Sequence, residues 1–295
     1  MEKSTEYLKI PDRFNLDRTI ARYAIVSSLE MEFPDIAYKA QRIHGASYVR
    51  TGYINPEALM KDGRIAPELD GSRGDGGNNV VVNYLLALEQ GKSIEEAGAS
   101  VRLIDVAECG DISDLPTCKY FEDSNTDVAE YVNKLTNSSS ENINIREIAA
   151  LSNVSFSDDV GSYELMRAIM QNSLMKKAEH DLNEIYLVSL TEKSLRPIIR
   201  LAGRKAVQII GSPVKVYADD PRQKEVNLTP VLLDPNKAIV GLLEELKNAK
   251  TNFVIKSLKQ QIAFLSDGLS EYEIGEQEFR EIKTLLYLPI SFDIT

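Results

Sequence analysis

The chain has 295 residues, a formal charge of −11 and an apolar fraction of 43%. That is enough for one large domain or two small ones and argues against wholesale disorder, while the acidic balance excludes general nucleic-acid binding without a local basic face. Two Cys and two His rule out a disulfide scaffold, a structural zinc site and a multi-histidine metal centre, and they mark Cys109 and Cys118 as reduced thiols of a cytoplasmic protein.

The opening MEKSTEYLKIPDRF lacks the apolar core of a signal peptide, and no run approaches the ~20 apolar residues of a membrane span. From Leu16 to Phe33, Ile20, Tyr23, Ala24, Ser27 and Met31 recur at helical spacing, with Asp17 as N-cap. Pro34 ends that helix or starts another. A second helical pattern runs from Asp35 to Val49, with Gly52 placed as its C-terminal cap. Residues 62–79 (DGRIAPELDGSRGDGGNN) form a loop that lacks both the P-loop ending and GxGxxG spacing. Val80–Leu88 and Ala99–Val106 read as strands joined by a hairpin-type connector. Residues 109–146 are polar, with a short helix near Thr126–Leu135 and an exposed tract, TNSSSEN, at 136–142.

The second half alternates between strand and helix. A strand-like end (ALSNVSF) is followed by a turn at 157–160, an amphipathic helix over Tyr163–His180 and a buried strand over Glu184–Leu190. A helix over Ser194–Ala202 closes at Gly203, and strands follow over Ala206–Tyr217 and Glu225–Leu233. This is the alternation of an α/β sheet. One long apolar stripe predicts a helix over 234–267, capped by Gly268, and a last helix spans 275–288.

Four ordered motifs carry a resemblance: AYKAQRIHGASYVRTGYI at 37–54; ELDGSR followed by the strands VVVNYLLAL and ASVRLI; REIAALSNV at 146–154; and SLRPIIRLAGRKAVQIIGSPVKVY leading to NLTPVLLD at 194–234. Their set resembles the GNAT N-acyltransferase superfamily, and within it the long-chain N-acyl amino acid synthases and acyl-homoserine-lactone synthases. The resemblance covers residues 36–234. It implies an α/β fold with a mixed, mostly antiparallel sheet, splayed between its fourth and fifth strands (here Leu151–Phe156 and Glu184–Leu190) and flanked by helices. Residues 1–35 are then an N-terminal helical arm. Residues 235–295 are a helical C-terminal extension, packed on the domain or on a partner subunit in a homodimer.

By the same resemblance the chain is an N-acyltransferase with no permanently bound cofactor and no metal. It takes acyl-CoA or acyl-phosphopantetheine on an acyl carrier protein as co-substrate and passes a long-chain acyl group to a small amine such as an amino acid. A pantetheine arm would enter the opening as an added strand, with Asn153, Val154, Ser155 and Phe156 offering backbone to the thioester. Acetyl-CoA-using members bind pyrophosphate on a Gln/Arg-x-x-Gly-x-Gly/Ala loop. This chain has SDDVGSYE there, which keeps only Gly161 and adds two carboxylates that repel phosphate. The Tyr that serves as general acid in many members is absent from SLRPIIRLAG.

Individual side chains carry further expectations. Glu147 is the candidate base or proton relay, with pairing to Arg146 or Arg102 as the plain alternative. Arg102, an Arg inside the apolar strand VRLI, must pair or reach a cleft edge; it reads as a partner of Glu147 or a clamp for an acceptor carboxylate. Asp70 and Arg73 position the acceptor or simply shape their loop. Ser189 bonds the pantetheine or acyl carbonyl, or is satisfied by backbone. Arg196, Arg200 and Arg204, at i, i+4 and i+8, make a basic stripe that suits an acidic carrier protein, extended by Arg167, Lys176 and Lys177, or else a solvated face. His44 and His180 read as structural. Two rival readings stay open: a catalytically silent binding or regulatory module of the same fold, and an acyl-homoserine-lactone-type signal synthase, which the lack of Trp does not favour.

Overall fold

Four antiparallel strands lead one eight-stranded sheet: β1 (Tyr23–Leu29), β2 (Val80–Glu89), β3 (Ala99–Val106) and β4 (Asn142–Asn153). β5 (Leu182–Leu190) runs parallel to β4, and β6 (Val207–Ile209) and β7 (Val214–Val216) both pair with β8 (Val226–Leu233), which is antiparallel to β5. The computed structural model describes residues 23–29, 34–70, 79–89, 91–122, 124, 127–153, 159–216 and 220–287.

Helices cover both faces. On one face α1 (Pro34–Thr51) buries Ile36, Ala37, Ala40 and Ile43 against Tyr84, Leu86 and Leu88. Beside it, α2 (Pro116–Tyr120) and α3 (Val128–Ser138) pack Cys118, Val128 and Val132 on Ile104, Ile145 and Leu187. On the other face α4 (Asp159–His180) sets Leu165, Ile169 and Met170 against Val101, Leu103, Ile148 and Tyr186. α5 (Glu192–Ala202) follows β5. The C-terminal helices α6 (Ala238–Lys247), α7 (Asn252–Ser266), α8 (Glu271–Ile274) and α9 (Glu276–Tyr287) complete that layer. Leu242, Leu258, Ile262 and Ile282 join the α4 core. Arg167 on α4 pairs with Glu164 at 2.6 Å and Asp267 at 3.0 Å, and the Gln171 amide donates to the carbonyls of Leu265 and Asp267.

Several expected elements are corrected. Residues 23–29 are the edge strand β1 rather than part of a helix over 16–33. The open edge of β2 offers a full row of backbone partners, and the β-branched, aromatic run YAIV takes them. Residues 16–22 and 30–33 lie outside the described residues. The fourth strand begins at Asn142, not Leu151, because Ile143 and Ile145 alternate with polar neighbours. The helix expected over 234–267 is broken after Lys247: Asn248 caps α6, and the Thr251 hydroxyl accepts from the Val254 N–H to start α7. The strand over 206–217 is two strands, split around Gly211, Ser212 and Pro213, the last of which has no N–H to donate.

The sheet is open between β4 and β5. Their rungs run from Asn142–Leu182 to Glu147–Leu187 and stop. Beyond that point, among the described residues, β4 pairs with β3 alone and β5 with β8 alone. On the β3 side, Ser100 faces Ser152 and Arg102 faces Ala149, so Ala150 and Leu151 together oppose Val101. This is a β-bulge, and Ala150 takes φ 53° to make it. Residues 220–224 strap the two arms together: the Asn55 N–H donates to the Arg222 carbonyl at 2.7 Å and the Lys224 N–H to the Tyr53 carbonyl at 2.9 Å.

A left-handed backbone costs a non-glycine residue roughly 1–3 kcal/mol. Ala150→Gly is expected to unfold at the same denaturant midpoint or higher, and Ala150→Val at a stability lower by roughly 1–2 kcal/mol. A midpoint lowered by Gly contradicts strain at the bulge.

Candidate active site

The bulge, the last β4–β5 rung and the α1–α2 face meet in one place. Two buried acidic groups stand there, and their surroundings differ.

Asp70 directly follows a short 3₁₀ turn, Pro67–Leu69, in the segment between α1 and β2. Its carboxylate takes both terminal nitrogens of Arg102, at 2.9 and 2.7 Å. Arg102 is 2% exposed and faces Tyr84 across the strand pair; its guanidinium lies 5.5 Å from that ring. The pair satisfies the strong requirement that a buried charge be matched. It also corrects the expectation that Arg102 partners Glu147: Asp70 fills the place that an acceptor carboxylate was expected to take. His44 from α1 completes the group, with Nδ1 3.2 Å from the Ser152 hydroxyl and Nε2 3.8 Å from Asp70 Oδ1. Burial, and then the Arg102 charge, push the His44 imidazole down to about 3, so it is neutral at ordinary pH. Tyr48, one turn along α1, stacks at a tilt on His44, with ring centroids 3.9 Å apart.

Glu147 is 2% exposed, and no cation among the described residues is placed against it. Arg146, its neighbour, points to the opposite face and pairs with Asp105 and Glu184, so the alternative pairings of Glu147 with Arg146 or Arg102 both fall. Glu147 instead accepts the Thr117 N–H at 3.0 Å and the Thr117 hydroxyl at 2.9 Å. The Thr117 hydroxyl lies 2.7 Å from that of Ser189. Pro116 opens α2, so the N–H of Thr117 has no partner within that short helix and is available to the carboxylate. Burial pushes the Glu147 carboxyl up to about 7, against the Thr117 hydrogen bonds that lower it. Tyr120, one turn beyond Thr117, lies within electrostatic reach of Tyr48, Glu147 and Asp70, and burial above all raises its phenol.

Other expected residues are placed as follows. Ser189 stands two residues past the last β4–β5 rung and is partly exposed, while Asn153 ends β4 and its side chain accepts from Arg50. Gly161 is buried in the first turn of α4. Arg73, Val154, Ser155 and Phe156 lie outside the described residues. The three-arginine stripe is corrected: Gly203, at φ 80°, ends α5, so Arg204 leaves the helix and only Arg196 and Arg200 share its exposed face. Acidic groups interleave with it, Glu192 on Arg196, Glu244 on Lys205 and Glu245 on the Arg204 N–H. Arg167 cannot extend the stripe because it is 1% exposed, and Lys176 and Lys177 pair with Glu184 and Asp181. Thr117 and Tyr120 escaped the sequence reading; Pro116 at a helix start is the one local signal that pointed to them. Among the described residues no cluster of His, Cys, Asp and Glu is placed to hold a metal, and no helix is long and apolar enough to cross a membrane.

No family model and no curated protein matches the chain. Among solved structures it is similar to the AHL synthase LasI, at 15% identity and TM-score 0.42 over 74% of this chain and 93% of that one. It is also similar to FeeM, an N-acyl amino acid synthase from uncultured soil microbes, at 12% identity and TM-score 0.43 over 75% and 96%. A GNAT-family acetyltransferase from Bacillus anthracis follows at 10% identity and TM-score 0.37 over 72% and 95%. These neighbours come from the groups that the sequence motifs resemble.

Two outcomes follow for stability. Arg102→Met strands the Asp70 carboxylate and is expected to cost about 3–5 kcal/mol, most of which Arg102→Met with Asp70→Leu recovers; equal losses in both variants contradict the pairing. The folded chain holds the Glu147 proton up to about pH 7, whereas the unfolded chain releases it near 4.5. The native state therefore binds more protons in that window, and stability falls as pH rises through it. Glu147→Gln is expected to flatten that fall by roughly 3 kcal/mol in pH-dependent denaturation; identical pH slopes contradict it.

Proposed function

We propose that the chain is an N-acyltransferase that carries an acyl group from a thioester donor to the amine of a small acceptor. The observation that carries this reading is the juxtaposition of an open strand edge, bulged at Ala150–Leu151, with a buried Glu147 whose carboxyl stands at about 7. A pantetheine amide chain can pair with the free side of β4 as an extra strand. The bulge turns peptide groups out of the ladder, which gives the thioester oxygen an N–H donor as it becomes an oxyanion. An acceptor amine must lose a proton to attack, and a carboxylate with a value near neutral pH is suited to take it.

The donor is acyl-CoA or an acyl carrier protein, with Asn153, Gly161 and Ser189 at the edges of the seat. No bound cofactor takes part: the chemistry is addition of an amine to a thioester carbonyl and departure of a thiol. Arg196 and Arg200 on α5 are the basic positions left for an acidic carrier.

The test is incubation with dodecanoyl-CoA, or a dodecanoyl carrier protein, and a panel of amino acids and simple amines, with mass spectrometry for the amide. The reading expects an amide with at least one amine, at a rate about 10²–10⁴-fold lower for Glu147→Gln. No amide from either donor overturns it.

A further inference from the structure

We propose that Ser189 and Thr117 form a two-hydroxyl proton relay joining the opening between β4 and β5 to Glu147. The proposal rests on the acyl-transfer reading and adds how the proton reaches its base. Glu147 is 2% exposed and Thr117 is wholly buried, so an amine in the opening cannot touch the carboxylate. Ser189, partly exposed on the stretch of β5 beyond its last rung with β4, is in reach of the opening. Its hydroxyl lies 2.7 Å from that of Thr117, which lies 2.9 Å from Glu147 Oε1.

Donor counting sets the direction. A Thr hydroxyl has one hydrogen, and an ionised carboxylate only accepts. With the Thr117 hydrogen on Glu147, the Thr117 oxygen must accept from Ser189, and the Ser189 oxygen is left to accept from the opening. The chain is therefore poised to run from Ser189 to Thr117 to Glu147.

The amine nitrogen attacks the thioester carbon; the C–N bond forms and the carbonyl π pair moves to oxygen. The amine proton passes to Ser189 Oγ, the Ser189 hydrogen to Thr117 Oγ1, and the Thr117 hydrogen to Glu147 Oε1. The oxyanion then re-forms the carbonyl, the C–S bond breaks with its electron pair on sulfur, and the same chain run backwards protonates the thiolate. Glu147 ends ionised, and the net change is one proton moved from nitrogen to sulfur.

The groups around Glu147 leave its titration to be read cleanly. From α2 it faces Cys118, whose thiol burial pushes up to about 12, and Tyr120, whose phenol is also raised, so both stay protonated near neutral pH. Its cross-strand neighbours, Ile104 on β3 and Leu187 on β5, carry no charge.

Thr117→Val keeps the shape and the backbone N–H to Glu147 but removes the hydroxyl. With dodecanoyl-CoA and the accepted amine, kcat is expected to fall about 100-fold with KM for dodecanoyl-CoA within about twofold. The bend in the pH–kcat profile near pH 7 is expected to disappear, and Thr117→Ser to restore both rate and bend. If Thr117→Val fails to fold, Ser189→Ala reads the same step, with a fall of at least about tenfold expected. A variant that keeps the wild-type rate and bend overturns the relay while leaving acyl transfer in place. A wild-type protein that makes no amide overturns both, and the two failures are told apart by the wild-type assay.

Discussion

A strand edge left unpaired inside a sheet is the constraint on which the rest of this structure depends. Backbone N–H and C=O groups held away from water need partners, and the natural outcome for two adjacent parallel strands is a full ladder. Here β4 and β5 pair through Glu147 and Leu187 and then part. Two features set them apart: the bulge at Ala150–Leu151 bends β4, and β8 keeps β5 on its own arm. The strap at 220–224 ties the β8 arm to the segment after α1. Glu147 is the last residue of β4 before the fork, and Ser189 stands just beyond it on β5. The site residues gather where the ladder ends.

Two buried carboxylates lie on the same face, and the chain treats them differently. Asp70 receives a full guanidinium fork from Arg102, which locks loop to sheet. Among the described residues Glu147 receives one N–H and one hydroxyl, both from Thr117, so burial dominates and its proton is held near neutral pH. Charge matching suits a structural role and a raised carboxyl suits proton transfer. His44, neutral between Ser152 and Asp70, belongs with the structural pair.

β2 and β3 were legible as β-branched, apolar runs, and α1 and α4 as apolar residues at helical intervals. The amphipathic reading of α4 is corrected, because Glu164 to Gln171 are all buried between the sheet and the C-terminal helices. Periodicity failed where pairing overrides spacing. Tyr23, Ala24 and Ser27 sit at helical intervals, yet β1 forms because β2 offers an edge. It failed again where a helix is too short to have a period: α2 has five residues, and its Thr117 meets Glu147 from thirty positions away. Arg102 was legible as a charge that had to be matched, since it stands in an apolar strand. Its partner was not, because the loop that brings Asp70 to it has no local code. The arginine spacing on α5 ran past Gly203, whose positive φ turns the chain away. The opening itself followed from ordered motifs rather than from any residue's chemistry.

The most direct test of the account is a crystal structure with a non-cleavable thioether analogue of dodecanoyl-CoA. The account predicts a pantetheine arm lying between residues 148–153 and 188–190, its amides paired with the free edge of β4 and its acyl carbonyl at the Ala150–Leu151 bulge within reach of Ser189. An analogue bound elsewhere, or β4 and β5 laddered to their ends, contradicts it.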